Sequence, residues 1–229
     1  VDRLLRFLLG ANWDELNGSA EEIAMPSIYG LKPKFQALLR PVVRRLAAAG
    51  ATANQVTIAA LLLSLATGAA IARARGGKTL LLLPAVLFAR MALNAMDGML
   101  AREHHQQSPL GAILNELGDV IADAGIYLPL ALVPGFHPAL LTCVVLLSVL
   151  SEMTGVVGVQ IGASRRYDGP FGKSDRALAF GLFGLLLGLG VPLEGVIPYV
   201  LAVMALLSVL TIWNRARQAL REVRAIRSK

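Results

Sequence analysis

Three carboxylates, Asp97, Asp119 and Asp123, stand in stretches of this chain that are otherwise apolar enough for the core of a lipid bilayer. An ionised carboxylate at mid-membrane costs roughly 2.5–3.5 kcal/mol on insertion scales, so a residue of this kind marks a functional site. On a helix, Asn94 and Asp97 (i, i+3) share one face, and Asn115, Asp119 and Asp123 share another at four-residue steps. Two neighbouring helices can therefore aim two sets of oxygen donors at one point. Such donors suit Mg²⁺ or Mn²⁺ and do not suit zinc. Glu152, in the middle of another apolar run, is a further intramembrane carboxylate, free to pair with Arg90 or Arg176 or to line a pocket.

The elements that must position these residues are membrane spans. Of 229 residues, 55% are hydrophobic, and the mean hydropathy is +0.62, too high for an ordinary soluble domain. The expected fold class is all-α, a polytopic membrane protein with six transmembrane helices and an N-terminal amphipathic interfacial helix. Apolar runs place the spans near 54–73, 79–101, 111–133, 138–162, 175–191 and 195–214. Breaks fall at Arg75–Lys78, His104–Pro109, Pro134-Gly135, Arg165–Ser174 and Pro192. Ahead of the spans, Phe35, Leu38, Leu39, Val42 and Leu46 recur at helical spacing with Arg40, Arg44 and Arg45 mostly opposite, the pattern of an interfacial helix bent at Pro41. Gly50 is expected to end that helix and Thr52 or Asn54 to cap the next.

The division expected is an N-terminal extension or foreign segment over 1–25, a juxtamembrane amphipathic helix over 26–50, a six-span domain over 51–214 and a basic tail over 215–229. The sequence starts at Val1 rather than Met, which is read as a portion missing upstream, and its LLRFLL run is too short for a signal peptide. An even number of spans puts both termini on one side. Arg40, Arg44, Arg45, Arg102, Arg165, Arg166, Lys173 and the tail arginines share it and make it cytoplasmic, against Arg73, Arg75 and Lys78. The net charge of +7 gathers in these juxtamembrane segments, facing anionic lipid. No basic soluble domain exists to bind nucleic acid, and the single Cys143 excludes a disulfide framework.

The central stretch resembles the signature of the CDP-alcohol phosphotransferase (CDP-alcohol phosphatidyltransferase) family, D-x2-D-G-x2-A-R-x8-G-x3-D-x3-D. Here it reads Asn94, Asp97-Gly98, Ala101-Arg102, Gly111, Asn115, Asp119, with every spacing kept and two Asp replaced by Asn. The resemblance implies a six-helix membrane enzyme, usually a homodimer. Such an enzyme moves a phosphatidyl or similar group from a CDP-linked lipid to a polar alcohol, releases CMP and requires Mg²⁺ or Mn²⁺. It implies metal coordination by Asn94, Asp97, Asn115 and Asp119, with Asp119 also the base. Gly98, Ala101 and Gly111 would let the nucleotide lie close, and Arg102 would meet phosphate or hold a carboxylate. Thr52–Thr57 resembles the family's T-P-N-x-x-T/S entry to the first span, with Ala53 in place of proline, which makes Asn54 and Thr57 cytidine contacts.

Asp123, one turn beyond Asp119, is expected as a support, a replacement ligand or a structural partner, and Glu116 is expected to face another helix or headgroups. His104 and His105 fall in a solvated loop. The 164–176 loop holds Arg165, Arg166, Lys173 and Arg176 beside glycines at the start of a span, an expected anion site for donor or acceptor phosphate. The acceptor is then a polar alcohol, phosphorylated if these cations bind it. Two other readings compete. One is a pseudoenzyme that binds nucleotide or lipid without turnover, favoured by the two asparagines. The other is a small cation transporter, for which the expected internal repeats are not seen.

Overall fold

The computed structural model describes residues 31–227, so the expected 1–25 extension lies outside the described residues. Helix α1 (Leu31–Ala48) carries Pro41 within it and buries Val43 against Met96, Met99 and Leu100. Leu38 and Val42, placed by periodicity on its apolar face, are exposed. The bidentate pair of Arg40 with Glu103, at 3.1 and 3.0 Å, ties α1 to the end of the third helix. Gly50 closes α1 at φ 78° in a Schellman turn, with Ala51 N–H bonded to Leu46 O and Gly50 N–H to Ala47 O.

Helix α2 (Ala53–Ala74) starts on a capping box, Thr52 with Gln55. A 3₁₀ turn (Gly77–Leu81) leads into α3 (Leu82–Glu103), and Ser108 caps α4 (Pro109–Tyr127), which runs on into a 3₁₀ turn (Leu128–Leu132). Then come α5 (Pro138–Gln160), the 161–172 loop, α6 (Lys173–Gly188) and α7 (Ile197–Arg227). Helix α2 packs on α3 and α4, α3 on α1 and α6, and α5 on α7. Small residues set the α2–α4 distance, since a Cβ on Gly68 would lie 1.9 Å from the backbone oxygen of Gly125. The apolar core runs through Ile71, Leu83, Leu87, Ile126, Tyr127, Val144, Phe180 and Leu201, with Tyr127 stacked on Phe180.

Every expected span is helical over most of its length. By length and composition four helical segments can cross a membrane: Ala53–Ala74, Gly77–Glu103, Pro138–Gln160 and Ile197–Arg227. The other two differ for plain reasons. Helix α4 carries Glu116, Asp119 and Asp123, and α6 has only 16 residues. The basic tail is not a separate element. It continues α7 without a break to Arg227, and Arg215 and Ala219 are buried. At 31 residues, α7 is about 46 Å long, well beyond a hydrocarbon core of about 30 Å.

Candidate active site

The 3.6-residue period turns Arg90, Asn94 and Asp97 of α3 toward α4, whose Asn115, Asp119 and Asp123 face back. Asn94 donates its amide N–H to Asp119 Oδ1 at 2.9 Å. Thr57, from α2, donates its hydroxyl to Asp97 Oδ2 at 2.8 Å. Residues from three helices therefore meet at the two motif carboxylates. Asp97 is buried, and Asp119 keeps about a quarter of its side chain exposed (28%).

Beside them opens a cavity of about 1250 Å³. Asn54, Thr57, Asn94, Asp97, Gly98, Ala101, Arg102, Gly111 and Asn115 all line it, so nine of the expected site residues share one space. At its other end the wall is apolar, built from Phe35 and Leu38 of α1 with Phe88 and Met91 of α3. Phe35 and Phe88 meet edge to face with ring centres 6.2 Å apart. The glycines make room for protein groups as well as for a ligand. The Arg102 guanidinium folds back over Gly98, 3.0 Å from where a Cβ would stand, and the Asn54 side-chain oxygen takes the corresponding space at Gly111. Gln106, from the loop between α3 and α4, accepts from Ala53 N–H at 2.7 Å and donates to Ala51 O, pinning the start of α2. Neither Gln106 nor the apolar end was expected from the sequence. The signal available for Phe88 and Met91 was only their helical spacing from Ala95 on the face toward α1.

Asp119 stands just behind the cavity wall. Its Oδ1 is held by Lys173 as well as Asn94, with Arg90 at 3.4 Å. Asp123 is not on the wall at all. It is buried between Arg90 and Arg176 (Arg176 to Oδ2, 3.2 Å), which makes it a structural partner of the two arginines. Arg90, an arginine in an apolar run, is thus part of the site: its NH2 donates to Asp119 O at 3.0 Å. His104 and His105 sit in the turn after α3 and do not line the cavity.

The expected anion loop is neutralised from within. Arg165 makes a bidentate pair with Glu116 (3.1 and 2.8 Å) and reaches Glu152 at 3.5 Å, and its guanidinium lies 5.2 Å from the Tyr167 ring centre. Arg166 is bidentate to Asp168 (2.7 and 2.9 Å) and bonds Glu222 at 3.0 Å. Glu152 also takes Arg176 and Arg215, at 3.2 and 3.3 Å, and does not take Arg90. Two glycines let this loop lie down. A Cβ on Gly155 would stand 2.1 Å from Arg165, and Gly169, at φ 132°, passes over Thr211 of α7. Phe171 N–H then donates to the Thr211 hydroxyl at 3.0 Å.

Among the described residues no three His, Cys, Asp or Glu side chains converge as metal ligands. The donors at hand are two carboxylates, Asp97 and Asp119, and two carboxamides, Asn94 and Asn115. All four can offer oxygen, and the set fits a hard divalent cation whose remaining positions are filled by water or a phosphate.

Comparison with known proteins agrees with this arrangement. Residues 51–214 match the model of the CDP-alcohol phosphatidyltransferase family. The Inner membrane protein YnbA of Escherichia coli K12 is 52% identical over 159 residues, 69% of this chain and 79% of that protein. The fold is similar to the Mycobacterium tuberculosis phosphatidylinositol phosphate synthase solved with manganese and citrate, at a TM-score of 0.66 and 21% identity, covering 78% of this chain and 87% of that one. The same synthase with CDP-DAG bound superposes at a TM-score of 0.63 and 22% identity over 80% and 92% of the two chains. With the motif spacing kept across α3 and α4 and the family match spanning every helix from α2 to the first half of α7, the chain belongs to the CDP-alcohol phosphatidyltransferase family.

Proposed function

We propose that this protein transfers a phosphatidyl group from CDP-diacylglycerol to a polar alcohol and releases CMP. Its family makes it a membrane transferase of phospholipid synthesis that draws on a CDP-linked donor. The observation that carries the lipid donor is the two-ended cavity, with apolar Phe35, Leu38, Phe88 and Met91 at one end and Asn54, Thr57, Asp97 and Arg102 at the other. An amphiphile with a nucleotide head and acyl chains matches that gradient. That the M. tuberculosis synthase of the same fold was solved with CDP-DAG supports the choice.

In this reading Arg102 meets the donor phosphate, and Asn54 borders the cytidine. Asp97, Asp119, Asn94 and Asn115 hold Mg²⁺ or Mn²⁺, which supplies neutralisation of the pyrophosphate. Asp119 takes the proton from the acceptor hydroxyl. For that, its carboxylate must leave Lys173, whose ammonium then stands beside the reacting phosphate. Six spans set both termini and the polar end of the cavity toward the cytoplasm. The inner membrane is the proposed location, as for the E. coli relative. A homodimer is part of the proposal, and the exposed stripe of Leu110, Ile113, Leu117 and Ile121 on α4 is apolar enough to meet lipid or a second copy.

Phe88→Ala tests the placement of the acyl chains. Phe88 is 61% exposed, and an acyl chain that covered it would gain about 1.5–3 kcal/mol, so KM for CDP-diacylglycerol should rise roughly 10-fold or more while binding of water-soluble CDP stays unchanged. An unaltered KM would move the acyl chains elsewhere.

A further inference from the structure

The turn after α3 carries one side chain across to another helix. His105 takes φ 55°, a left-handed backbone that costs free energy at a residue other than glycine. It closes α3 in a Schellman turn, with Gln106 N–H bonded to Ala101 O at 3.1 Å, and delivers Gln106 to the start of α2. There the Gln106 carboxamide straddles Thr52. Its Oε1 accepts from Ala53 N–H at 2.7 Å, and its Nε2 donates to Ala51 O at 3.2 Å. The capping box serves the N–H groups of Thr52 and Gln55 and leaves that of Ala53 without a partner inside α2. Ala53 is buried, so water is a poor substitute for Gln106. Gln106 therefore fixes the first turns of α2, which hold Asn54 against Gly111 and Thr57 against Asp97.

We infer that Gln106 is a positioning residue for the nucleotide end of the cavity, acting by setting the entry of α2 and with it the places of Asn54 and Thr57. This rests on the transferase reading above, in which Asn54 borders the cytidine. Gln106 also lines the cavity, but both ends of its carboxamide are engaged by backbone, so its part is to hold α2. Proline at position 53 is a second way to set the same entry. Ala53 is the first residue of α2, where proline is favoured because no helical partner awaits its N–H. Thr52 before it is extended, at φ −100° and ψ 152°, as a residue preceding proline must be. The proline ring would stand where Ala53 N–H meets Gln106, so it fits once that side chain is cut back.

The experiment titrates CDP with Mn²⁺ into the purified full chain by calorimetry, and measures kcat and KM for CMP release from CDP-diacylglycerol. Gln106→Ala and Gln106→Met, the second keeping the length of the side chain, should weaken CDP binding by about 5-fold or more. KM for CDP-diacylglycerol should rise by a similar factor, with kcat within about threefold of the parent. Ala53→Pro added to Gln106→Ala should bring CDP affinity back to within about twofold of the parent. Unchanged CDP affinity in both single variants overturns the inference, and so does a fall confined to kcat. A double variant that binds no better than Gln106→Ala also overturns it, because Gln106 would then touch the nucleotide itself. If neither single variant folds, the inference fails as well, since Gln106 would hold the whole bundle and not one helix entry. CDP that does not bind the parent defeats the transferase reading, and this inference with it.

Discussion

Asn94 faces Asp119 with an amide N–H where an ionised oxygen would stand if the residue were Asp, and the consequence is electrostatic. Four aspartates would balance two divalent ions, but Asp97 and Asp119 supply only two negative charges, and Lys173 and Arg90 already lean on Asp119. Carboxamide oxygens preserve the geometry while giving up much of the attraction. Asn94→Asp combined with Asn115→Asp should therefore tighten Mn²⁺ binding in the absence of nucleotide by at least about 10-fold, read by calorimetry or EPR. Equal affinity in parent and double variant would mean that another carboxylate completes the site. Asp123 is a poor candidate for it, because Arg90 and Arg176 hold both its oxygens. At this scale the sequence showed which side chains share a face, since i, i+3 and i, i+4 spacing fixes that. It did not reveal their partners. Arg165 meets Glu116 across 49 residues and Arg166 meets Glu222 across 56, and no local pattern records which carboxylate will face which cation.

Helices α2 and α4 approach closely because glycines face each other there. Gly68 lies against Gly125, and a Cβ on Gly125 would in turn stand 2.4 Å from the Leu65 side chain. Gly68→Ala has no flexible neighbour to push aside, because the obstacle is a backbone oxygen. Overpacking of this kind costs about 1–3 kcal/mol, so the variant should melt several degrees lower in detergent. It should also lose activity, because α2 carries Thr57 and α4 carries Asp119. An unchanged melting temperature with full activity would show that the two helices can separate freely. Helix positions were legible from apolar runs, breakers and caps: Gly50 ends α1 and Thr52 caps α2 as expected. The end of α7 was not. A run of arginines reads as a surface tail, whereas Arg215 turns inward to Glu152 and Ala219 packs inside, contacts set by α5 and the 161–172 loop rather than by the tail's own composition. The juxtamembrane helix shows the same limit, since Val43 and not Val42 is its buried valine.

Across the whole molecule, ion pairs join α3 to α7 behind the cavity. Glu152 is their hub, with Arg165, Arg176 and Arg215 around one carboxylate that is 14% exposed. Removing one partner from a buried ionic cluster leaves uncompensated charge and costs about 3–5 kcal/mol. Glu152→Ala, which takes the carboxylate from Arg215 and leaves Arg165 with Glu116 and Arg176 with Asp123, should fall in that range by denaturation in detergent, with the 161–172 loop released to protease. A loss under about 1 kcal/mol would show that water already screens the cluster.

If Asp97 and Asp119 serve a transfer from CDP-diacylglycerol, CMP and a new phospholipid must form together. Purified protein is mixed with CDP-diacylglycerol, Mn²⁺ and an alcohol, and CMP and the new phospholipid are counted together. The two products should appear in equal amounts, dependent on the metal and on the alcohol, with a loss of about 100-fold or more in Asp119→Ala, the scale of a lost general base. Tight binding of CDP-diacylglycerol with no CMP from any alcohol would contradict it and mark the protein as a binder of that lipid, and an Asp119→Ala variant within threefold of the parent would remove Asp119 from the chemistry.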